Sequence, residues 1–224
     1  MSKILVTGGG AGLGAAIVAS LREDGHQVFI FDRKNGDDVR HPTHNAIPPQ
    51  LDILVNCAGV NITGWLDDFS SLDWDEVMDI NAKGIFKMAK ICLPALIESK
   101  GTILNIVSNA SHVPMTTSIA YNASKGAAHI MTLQMARELT KTYGITVFGI
   151  SPNKLRGTEM SNDIEDQVVR HRGWTAEFAR KYQNDALLTG EETDPQAVAN
   201  FIRYLFTSKE NHKFLTGCVI PYGA

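Results

Sequence analysis

The stretch Lys3-Ile4-Leu5-Val6-Thr7-Gly8-Gly9-Gly10-Ala11-Gly12-Leu13-Gly14 decides the fold of this chain. A short apolar run leads into a glycine loop with TGxxxGxG spacing, and a helical pattern begins at about residue 13. Glycines in this context let the backbone turn tightly, approach a pyrophosphate closely and present a helix N-terminus to its negative charge. The spacing therefore predicts a dinucleotide-binding unit. The alternative is a glycine-rich turn that only packs a helix on a strand.

Short runs rich in Val and Ile recur along the rest of the chain, at 28–31, 53–55, 103–107, 145–150 and 218–220. Runs without polar alternation are typical of strands buried on both faces, as in a parallel sheet covered by helices. Helical patterns lie between them, at about 13–24, 73–99, 120–142 and 194–207. We therefore predict an α/β fold, a Rossmann-type doubly wound parallel sheet with helices on both faces, as a single domain over residues 1–224.

Composition narrows the choice of partners and compartment. The 224 residues carry 21 Lys+Arg and 24 Asp+Glu, a net charge of −3, which disfavours nucleic acid as a partner. Cys57, Cys92 and Cys218 have no CxxC spacing, so neither disulfides nor a zinc site are indicated, and a reducing cytoplasm fits best. His41 and His44 lack a third ligand, so we predict no metal site. No apolar run reaches the roughly 18 residues of a membrane helix.

Two polar stretches lack strand character. Residues 33–50 contain three prolines and no helical period, which predicts a loop with little secondary structure. Residues 161–190, here called the cover segment, are polar and helical in composition, and we expect them to cover a substrate pocket. Trp174 would form a wall of that pocket, although an amphipathic helix lying on the surface explains it equally well.

A second motif, Tyr121-Asn122-Ala123-Ser124-Lys125, places Tyr121 and Lys125 on one helix face. There the ammonium is expected to lower the phenol pKa from about 10. Ser108, thirteen residues upstream at a strand end, would hold the substrate oxygen, and Asn81 would tie the backbone or a water into the proton path. Alone, YxxxK usually marks an exposed pair. Together with the glycine loop and Ser108, it indicates a catalytic group.

The second predicted strand ends at Asp32, eighteen residues past Gly14. A carboxylate there would accept hydrogen bonds from ribose hydroxyls, which favours NAD(H) over NADP(H). Arg33 could instead pair with a 2′-phosphate, so NADP(H) remains the alternative cofactor. A third interpretation is that Asp32 only caps a turn.

With these residues the chain resembles, nearly end to end, the short-chain dehydrogenase/reductase family. The resemblance rests on TGGGAGLG at 7–14, NCAG at 56–59 in place of NNAG, Asn81, Ser108 and YNASK at 121–125. It implies that Asn81, Ser108, Tyr121 and Lys125 are catalytic and that Lys125 also binds the nicotinamide ribose. The cofactor-binding residues that it implies are Gly8, Gly10, Ala11, Gly12, Leu13, Gly14, Asp32, Arg33, Asn56, Ala58, Gly59, Tyr121, Lys125 and Pro152.

The chain also departs from the family pattern. Far fewer residues than usual separate Asp32 from Asp52, so the helices that flank the family's third strand look deleted or reduced to loops. Pro152-Asn153 stands where Pro-Gly is common, which predicts a reshaped loop on the nicotinamide side.

We predict an NAD(P)(H)-dependent oxidoreductase that interconverts a secondary alcohol and a carbonyl, with Tyr121 as general acid/base. The substrate would be a small molecule, in a pocket lined by 109–119, 153–156 and 160–190. Lys154 and Arg156 suggest an anionic substrate group unless they are solvated loop charges. The alternative is a catalytically silent NAD-binding sensor or partner-binding protein. Sugar-nucleotide epimerase chemistry fits the glycine spacing and chain length less well.

The resemblance further implies a homo-oligomer, tetramer or dimer, that pairs through the helices at 73–99 and 120–142. Met88, Ile91, Ile130 and Met135 would be apolar residues on that surface, or else members of the core.

Overall fold

A computed structural model describes residues 1–223. Its six strands form one parallel sheet in the order β2-β1-β3-β4-β5-β6. They are β1 (Lys3–Thr7), β2 (Gln27–Phe31), β3 (Ile53–Asn56), β4 (Thr102–Ile106), β5 (Thr146–Pro152) and β6 (Val219–Tyr222). Each predicted apolar run is a strand, and the predicted fold class is confirmed.

Helices cover both faces of the sheet. They are α1 (Gly12–Glu23), α2 (Ser71–Met78), α3 (Gly84–Ser99), α4 (Ile119–Tyr143), α5 (Glu159–Arg172), α6 (Ala176–Asp185), α7 (Pro195–Phe206) and α8 (Lys209–His212). Residues of α1 and α7 share one buried cluster with the sheet, whereas α3 and α4 contribute to a second one. Apolar residues of the strands alternate between these two clusters, because successive side chains of a strand point to opposite faces.

The prediction of one continuous helix at 73–99 is wrong in one respect. A π-turn, Asp79–Lys83, separates α2 from α3. A π-turn adds a residue to one turn of an α-helix, and such turns are frequent at functional sites. Asn81 lies within this one, fully buried.

The two polar stretches, residues 33–50 and the cover segment, differ in secondary structure. Residues 33–50 contain only two short 3₁₀ turns, Arg33–Asn35 and His44–Ala46, which confirms the predicted loop. Consequently β2 lies at the edge of the sheet. The cover segment is largely helical, because α5 and α6 occupy most of it.

The strand order reverses direction next to β1, between β1 and β3. In an open α/β sheet, ligands bind at the carboxyl ends of the strands on either side of such a switch point. Thr7 and Asn56 end these two strands in paired register. The fold therefore brings the glycine loop and the NCAG segment to one place.

Candidate active site

The glycine loop lies directly against the NCAG segment. The Thr7 hydroxyl accepts hydrogen bonds from the main-chain N–H groups of Cys57 (3.0 Å) and Ala58 (3.1 Å). A Cβ added at Gly8, where φ is 68°, would lie 2.8 Å from the Ala58 Cα, so a side chain there has no room. Thr7 had no assigned role in the sequence prediction, although it stands in the quoted motif.

The start of α1 is built closely on the same loop. A Cβ at Gly14 would lie 2.1 Å from the Gly8 carbonyl oxygen, which explains why this position is glycine. Ala11 caps the helix with extended backbone, and Gly12 is exposed with φ 49°. The Leu13 side chain is buried in the core, so only its main chain could contact a cofactor. The loop thus presents N–H groups of a helix N-terminus next to residues that carry no bulky side chain, which fits a pyrophosphate.

Asp32 follows β2 and faces the glycine loop. Its Oδ2 accepts the Gly10 N–H at 2.8 Å, and its Oδ1 accepts the Lys34 N–H at 2.9 Å, which caps the first 3₁₀ turn. Each carboxylate oxygen keeps a second lone pair for a ribose hydroxyl. Lys34, rather than Arg33, contacts the loop, because its Nζ donates to the Gly10 carbonyl oxygen at 3.2 Å. The sequence had given no indication of a role for this lysine.

Asn56 has a structural contact that the sequence did not indicate. Its Nδ2 donates to Asn105 Oδ1 at 2.8 Å, and Asn105 Nδ2 donates to the Thr132 hydroxyl at 2.9 Å. These side chains are buried between the sheet and α4. The Asn56 Nδ2 is therefore engaged in the core and is not free to contact a cofactor.

Asn81 clamps the chain that follows the NCAG segment. Its Oδ1 accepts the Val60 N–H and its Nδ2 donates to the Val60 carbonyl oxygen, both at 2.8 Å. The same Nδ2 lies 3.0 Å from the Ser124 hydroxyl on α4. Gly59 sits against this clamp, since a Cβ there would lie 3.3 Å from Asn81 Oδ1 and 3.8 Å from Lys125 Nζ. The π-turn thus connects the NCAG segment with the YNASK turn of α4.

Ser108, Tyr121 and Lys125 come together at the carboxyl ends of β4 and β5. The Lys125 Nζ donates to the Ile106 carbonyl oxygen at 3.0 Å and lies 5.7 Å from the centroid of the Tyr121 ring. The Ser108 side chain lies close enough to the Tyr121 phenol to influence its pKa. Ser108 also accepts the Ala110 N–H at 3.2 Å, which fixes the start of the loop to α4.

The protonation equilibria differ from the prediction. Burial raises the pKa of Tyr121 above 10, and a hydrogen bond with Ser108 opposes this shift. Burial also lowers the pKa of Lys125 to about 8. The expected lowering of the phenol pKa by Lys125 is not found, because burial raises this pKa and the opposing contribution comes from Ser108.

Cys57 replaces the second asparagine of the family pattern and lies near Lys125 and Tyr121. Burial raises the pKa of its thiol to about 12, and the Lys125 charge only partly offsets this. The thiol is thus neutral at ordinary pH. A neutral thiol is a poor nucleophile, so Cys57 contributes packing and shape.

Asn122, next to the phenol in the chain, holds the loop between Ser108 and α4. Its Nδ2 donates to the carbonyl oxygens of Ala110 (2.7 Å) and Val113 (2.8 Å), and its Oδ1 accepts the Met115 N–H at 3.3 Å. Thr117 in the same loop is buried with φ 69°. This conformation is costly for a β-branched residue, and such outliers cluster at functional sites.

The cover segment is fastened to the loop that follows the NCAG segment. Gln167 Oε1 accepts the Thr63 N–H (2.8 Å) and the Thr63 hydroxyl (2.9 Å). The Trp65 indole N–H donates to the His171 carbonyl oxygen at 3.3 Å. These contacts join positions about a hundred residues apart, and the sequence carried no signal for them.

The loop after β5 forms the other side of the site. Pro152 is buried in β5, and the Asn153 N–H donates to the Tyr222 carbonyl oxygen at 3.0 Å. Thr158 caps α5 and reaches the glycine loop, since a Cβ at Gly12 would lie 3.6 Å from Thr158 Cγ2. Lys154 and Arg156, proposed above to bind an anionic group, form ion pairs with Glu192 and Asp194.

Trp174 lines neither the cavity beside Lys154 nor the one beside Trp65. It packs instead with Phe178 and Tyr182, its ring centroid 5.0 Å from each, and under the Arg172 guanidinium. This arrangement is that of an amphipathic helix on the surface, the second of the two interpretations above.

The comparison with known proteins decides the family. The model of the family described as short chain dehydrogenase matches residues 39–169. The chain belongs to this family. An uncharacterized oxidoreductase of Staphylococcus aureus (strain MRSA252) is 31% identical over 176 residues, which cover 66% of this chain and 75% of that protein.

Two other similarities extend over nearly the whole short-chain dehydrogenase chain. Sorbitol-6-phosphate 2-dehydrogenase of Klebsiella pneumoniae is 29% identical over 96% of this chain and 91% of its own. A structure of actinorhodin polyketide ketoreductase with NADPH superposes with a TM-score of 0.86 at 24% identity, covering 98% and 95% of the two chains. The protein is thus an oxidoreductase of the short-chain type with an NAD(P)-binding fold. Among residues 1–223, no helix is both long and apolar enough to cross a membrane.

Proposed function

We propose that this protein interconverts a secondary alcohol and a carbonyl compound with NAD(H) as hydride carrier. The observation that supports this most directly is the convergence of Ser108, Tyr121 and Lys125 beside a glycine loop that can hold a dinucleotide. When bound, the nicotinamide supplies or accepts the hydride. The remaining work, orientation of the substrate and movement of one proton, falls to side chains of this chain.

In the direction of reduction, the Ser108 hydroxyl and the Tyr121 phenol hold the carbonyl oxygen. As the carbonyl carbon gains a hydride, the Tyr121 O–H gives its proton to that oxygen, and the alcohol is formed. Lys125, protonated at neutral pH, stabilises the phenolate that remains. Oxidation of the alcohol reverses each step, and the phenolate takes up the hydroxyl proton.

Within this site, the main chain from Gly8 to Gly14 would hold the pyrophosphate, and Asp32 the adenosine ribose. Gly59, beside Lys125, would lie along the nicotinamide half. The carboxylate of Asp32 favours the unphosphorylated ribose of NAD(H), since a 2′-phosphate would meet a like charge. Lys34 and Arg33 are exposed and could partly offset this repulsion, so discrimination is expected to rest on Asp32.

A cofactor titration tests this preference. We expect NADH to bind more tightly than NADPH, and Asp32→Asn to reduce the difference at least tenfold, because the repulsion is removed. Fluorescence titration of both cofactors against both proteins measures it. Tighter binding of NADPH by the unchanged protein would refute the preference.

Tyr121→Phe tests the chemistry itself. This variant retains the ring but loses the proton, so we expect kcat to fall at least a thousandfold while NADH binding is unchanged. Tyr143→Phe, at the exposed end of α4, is the matched control and should keep full activity. Turnover of a panel of alcohols and carbonyls is followed by NADH absorbance. A silent NAD-binding sensor would show cofactor binding and no turnover with any member of the panel.

We further propose that residues 1–224 form one domain, that the cover segment covers the substrate, and that the protein is a cytoplasmic homo-oligomer. The free thiols of Cys57, Cys92 and Cys218 are compatible with a reducing compartment. Of the four residues considered for a subunit surface, Met88 is fully buried in the core, and Ile91 and Met135 pack against it. Ile130 on α4 is 61% exposed and is the one that remains free to meet a partner subunit.

A further inference from the structure

Two cavities of different chemistry flank the cover segment and its supporting loops. The larger, of about 470 Å³, lies between the loop after β5, α5 and the turn before α7, and charged side chains line it. The smaller, of about 290 Å³, lies between the loop after the NCAG segment and the loop after Ser108. Their linings indicate which kind of substrate the site accepts.

The larger cavity already neutralises its own charges. Each of its three cations has a carboxylate partner: Lys154 with Glu192, Arg156 with Asp194, and Arg180 with Glu165. The first of these pairs is largely buried, so separating it would be costly. A phosphate or carboxylate would have to displace one of these partners. The larger cavity is therefore poorly suited to an anionic substrate group.

The smaller cavity has walls of opposite character. Five of the eight residues that line it are apolar: Trp65, Leu66, Pro114, Met115 and Ile119. Its described lining includes no Lys, Arg, Asp or Glu. A concave apolar surface of this kind gains free energy by removing apolar ligand groups from water.

This apolar cavity borders the turn of α4 that carries Tyr121. Ile119 and Asn122, which line it, flank Tyr121 in the first turn of α4. The Gly64 N–H donates to the carbonyl oxygen of the strained Thr117 at 2.8 Å, which joins the two walls. Thr117 is buried, so its strained backbone lies in the wall of the cavity rather than in a solvent-exposed turn.

We propose that this cavity binds an uncharged apolar substituent of the substrate. The protein then acts on ketones and secondary alcohols that carry an alkyl or ring group, in preference to phosphorylated sugars. This inference rests on the proposed function and names the substrate class for it. The Klebsiella relative is named for a phosphorylated sugar alcohol, so the substrate class proposed for this chain differs from the one in that name.

A homologous series of substrates tests the proposal. kcat/KM is measured for 2-butanone to 2-nonanone with NADH, and for D-fructose 6-phosphate as the charged competitor. We expect kcat/KM to rise about fourfold for each added CH₂ group, the factor that about 0.8 kcal/mol per buried CH₂ implies, until the cavity is full. The sugar phosphate should be the poorest substrate.

Variants identify the cavity as the cause of the rise. Met115→Ser and Leu66→Ser should flatten the series at its long end, so that 2-nonanone loses more kcat/KM than 2-butanone does. Phe214→Ser, which removes an exposed apolar side chain outside the cavity, should keep the full slope. A flat series in the unchanged protein, or a preference for the sugar phosphate, overturns the substrate class while Tyr121-dependent turnover preserves the proposed function. Absence of turnover with every substrate overturns both.

Discussion

Lys125 is only 5% exposed, so its ammonium is poorly hydrated. Burial lowers its pKa from 10.5 to about 8. Since the folded-state pKa is the lower one, folding is penalised below pH 8, and the penalty fades as pH rises from about 8 to 10.5. The shift corresponds to about 3 kcal/mol at pH 7. The buried ammonium beside the phenol thus lowers the free energy of unfolding.

Lys125→Met should therefore stabilise the protein while abolishing turnover. We expect the free energy of unfolding at pH 7 to rise by about 2 kcal/mol, because loss of the bond to Ile106 offsets about 1 kcal/mol of the relief. The gain should shrink toward pH 10.5. Urea denaturation at pH 7 and pH 10 measures both effects, with Lys141→Met on the exposed side of α4 as control. A variant less stable than the unchanged protein at pH 7 contradicts the argument.

Asn61 presents a second residue-scale cost. It is 8% exposed, and within residues 1–223 neither polar atom of its side chain has a hydrogen-bond partner. A buried polar group without a partner costs about 1–3 kcal/mol. Asn61→Leu is accordingly expected to raise the free energy of unfolding by an amount in that range. Asn45→Leu, at an exposed loop position, should change it by less than about 0.5 kcal/mol. Thermal and urea unfolding decide the matter, and a destabilised Asn61→Leu protein would show that the amide has a partner in solution.

Spacing in the sequence predicted which residues meet, but not how each is protonated. YxxxK places Tyr121 and Lys125 on one helix face whatever surrounds them, so their proximity is a local property. The direction of a pKa shift depends on burial, which side chains distant in sequence determine. The contacts of Asn56 and Gln167 were missed for the same reason, since their partners lie about fifty and about a hundred residues away.

At the element scale, the apolar runs identified all six strands because buried parallel strands are apolar on both faces. The sequence did not reveal the π-turn at Asp79–Lys83, because its five residues include no proline or glycine that would mark an interruption of the helix. The prolines of 33–50 did predict a loop, since proline lacks the N–H that helices and strands require. The prolines thus located the loop at 33–50, and periodicity located the strands and helices.

The contact between α5 and the loop at Thr63 depends on one amide. Gln167→Leu removes the acceptor for two donors of Thr63, so α5 should detach more often. We expect faster hydrogen exchange in residues 159–172, with KM raised several-fold and kcat changed less. Gln134→Leu, the same substitution on the exposed surface of α4, is the control. Unchanged exchange in α5 would mean that packing alone holds the cover segment.

At the scale of the whole molecule, His212 connects elements that the chain order keeps apart. It is 4% exposed, and its ring lies between Phe148 of β5 and Phe206 at the end of α7. Its ring nitrogens lie 3.1 Å from the Thr102 hydroxyl of β4 and 2.8 Å from the Leu205 carbonyl oxygen. The imidazole therefore holds the C-terminal helices against the sheet.

Burial lowers the pKa of His212, so stability should depend on pH through this residue. Because the unfolded chain binds this proton more readily, the contribution is fully present above about pH 6.5 and is lost as pH falls below it. His212→Gln keeps a donor and an acceptor but cannot titrate. We expect its free energy of unfolding to fall less steeply between pH 7 and pH 5 than that of the unchanged protein, measured by urea denaturation at each pH. The pKa of His26 is also lowered by burial, but this residue is present in both proteins and cancels in the difference. Equal slopes would show that His212 takes up a proton in the folded protein as readily as in the unfolded chain.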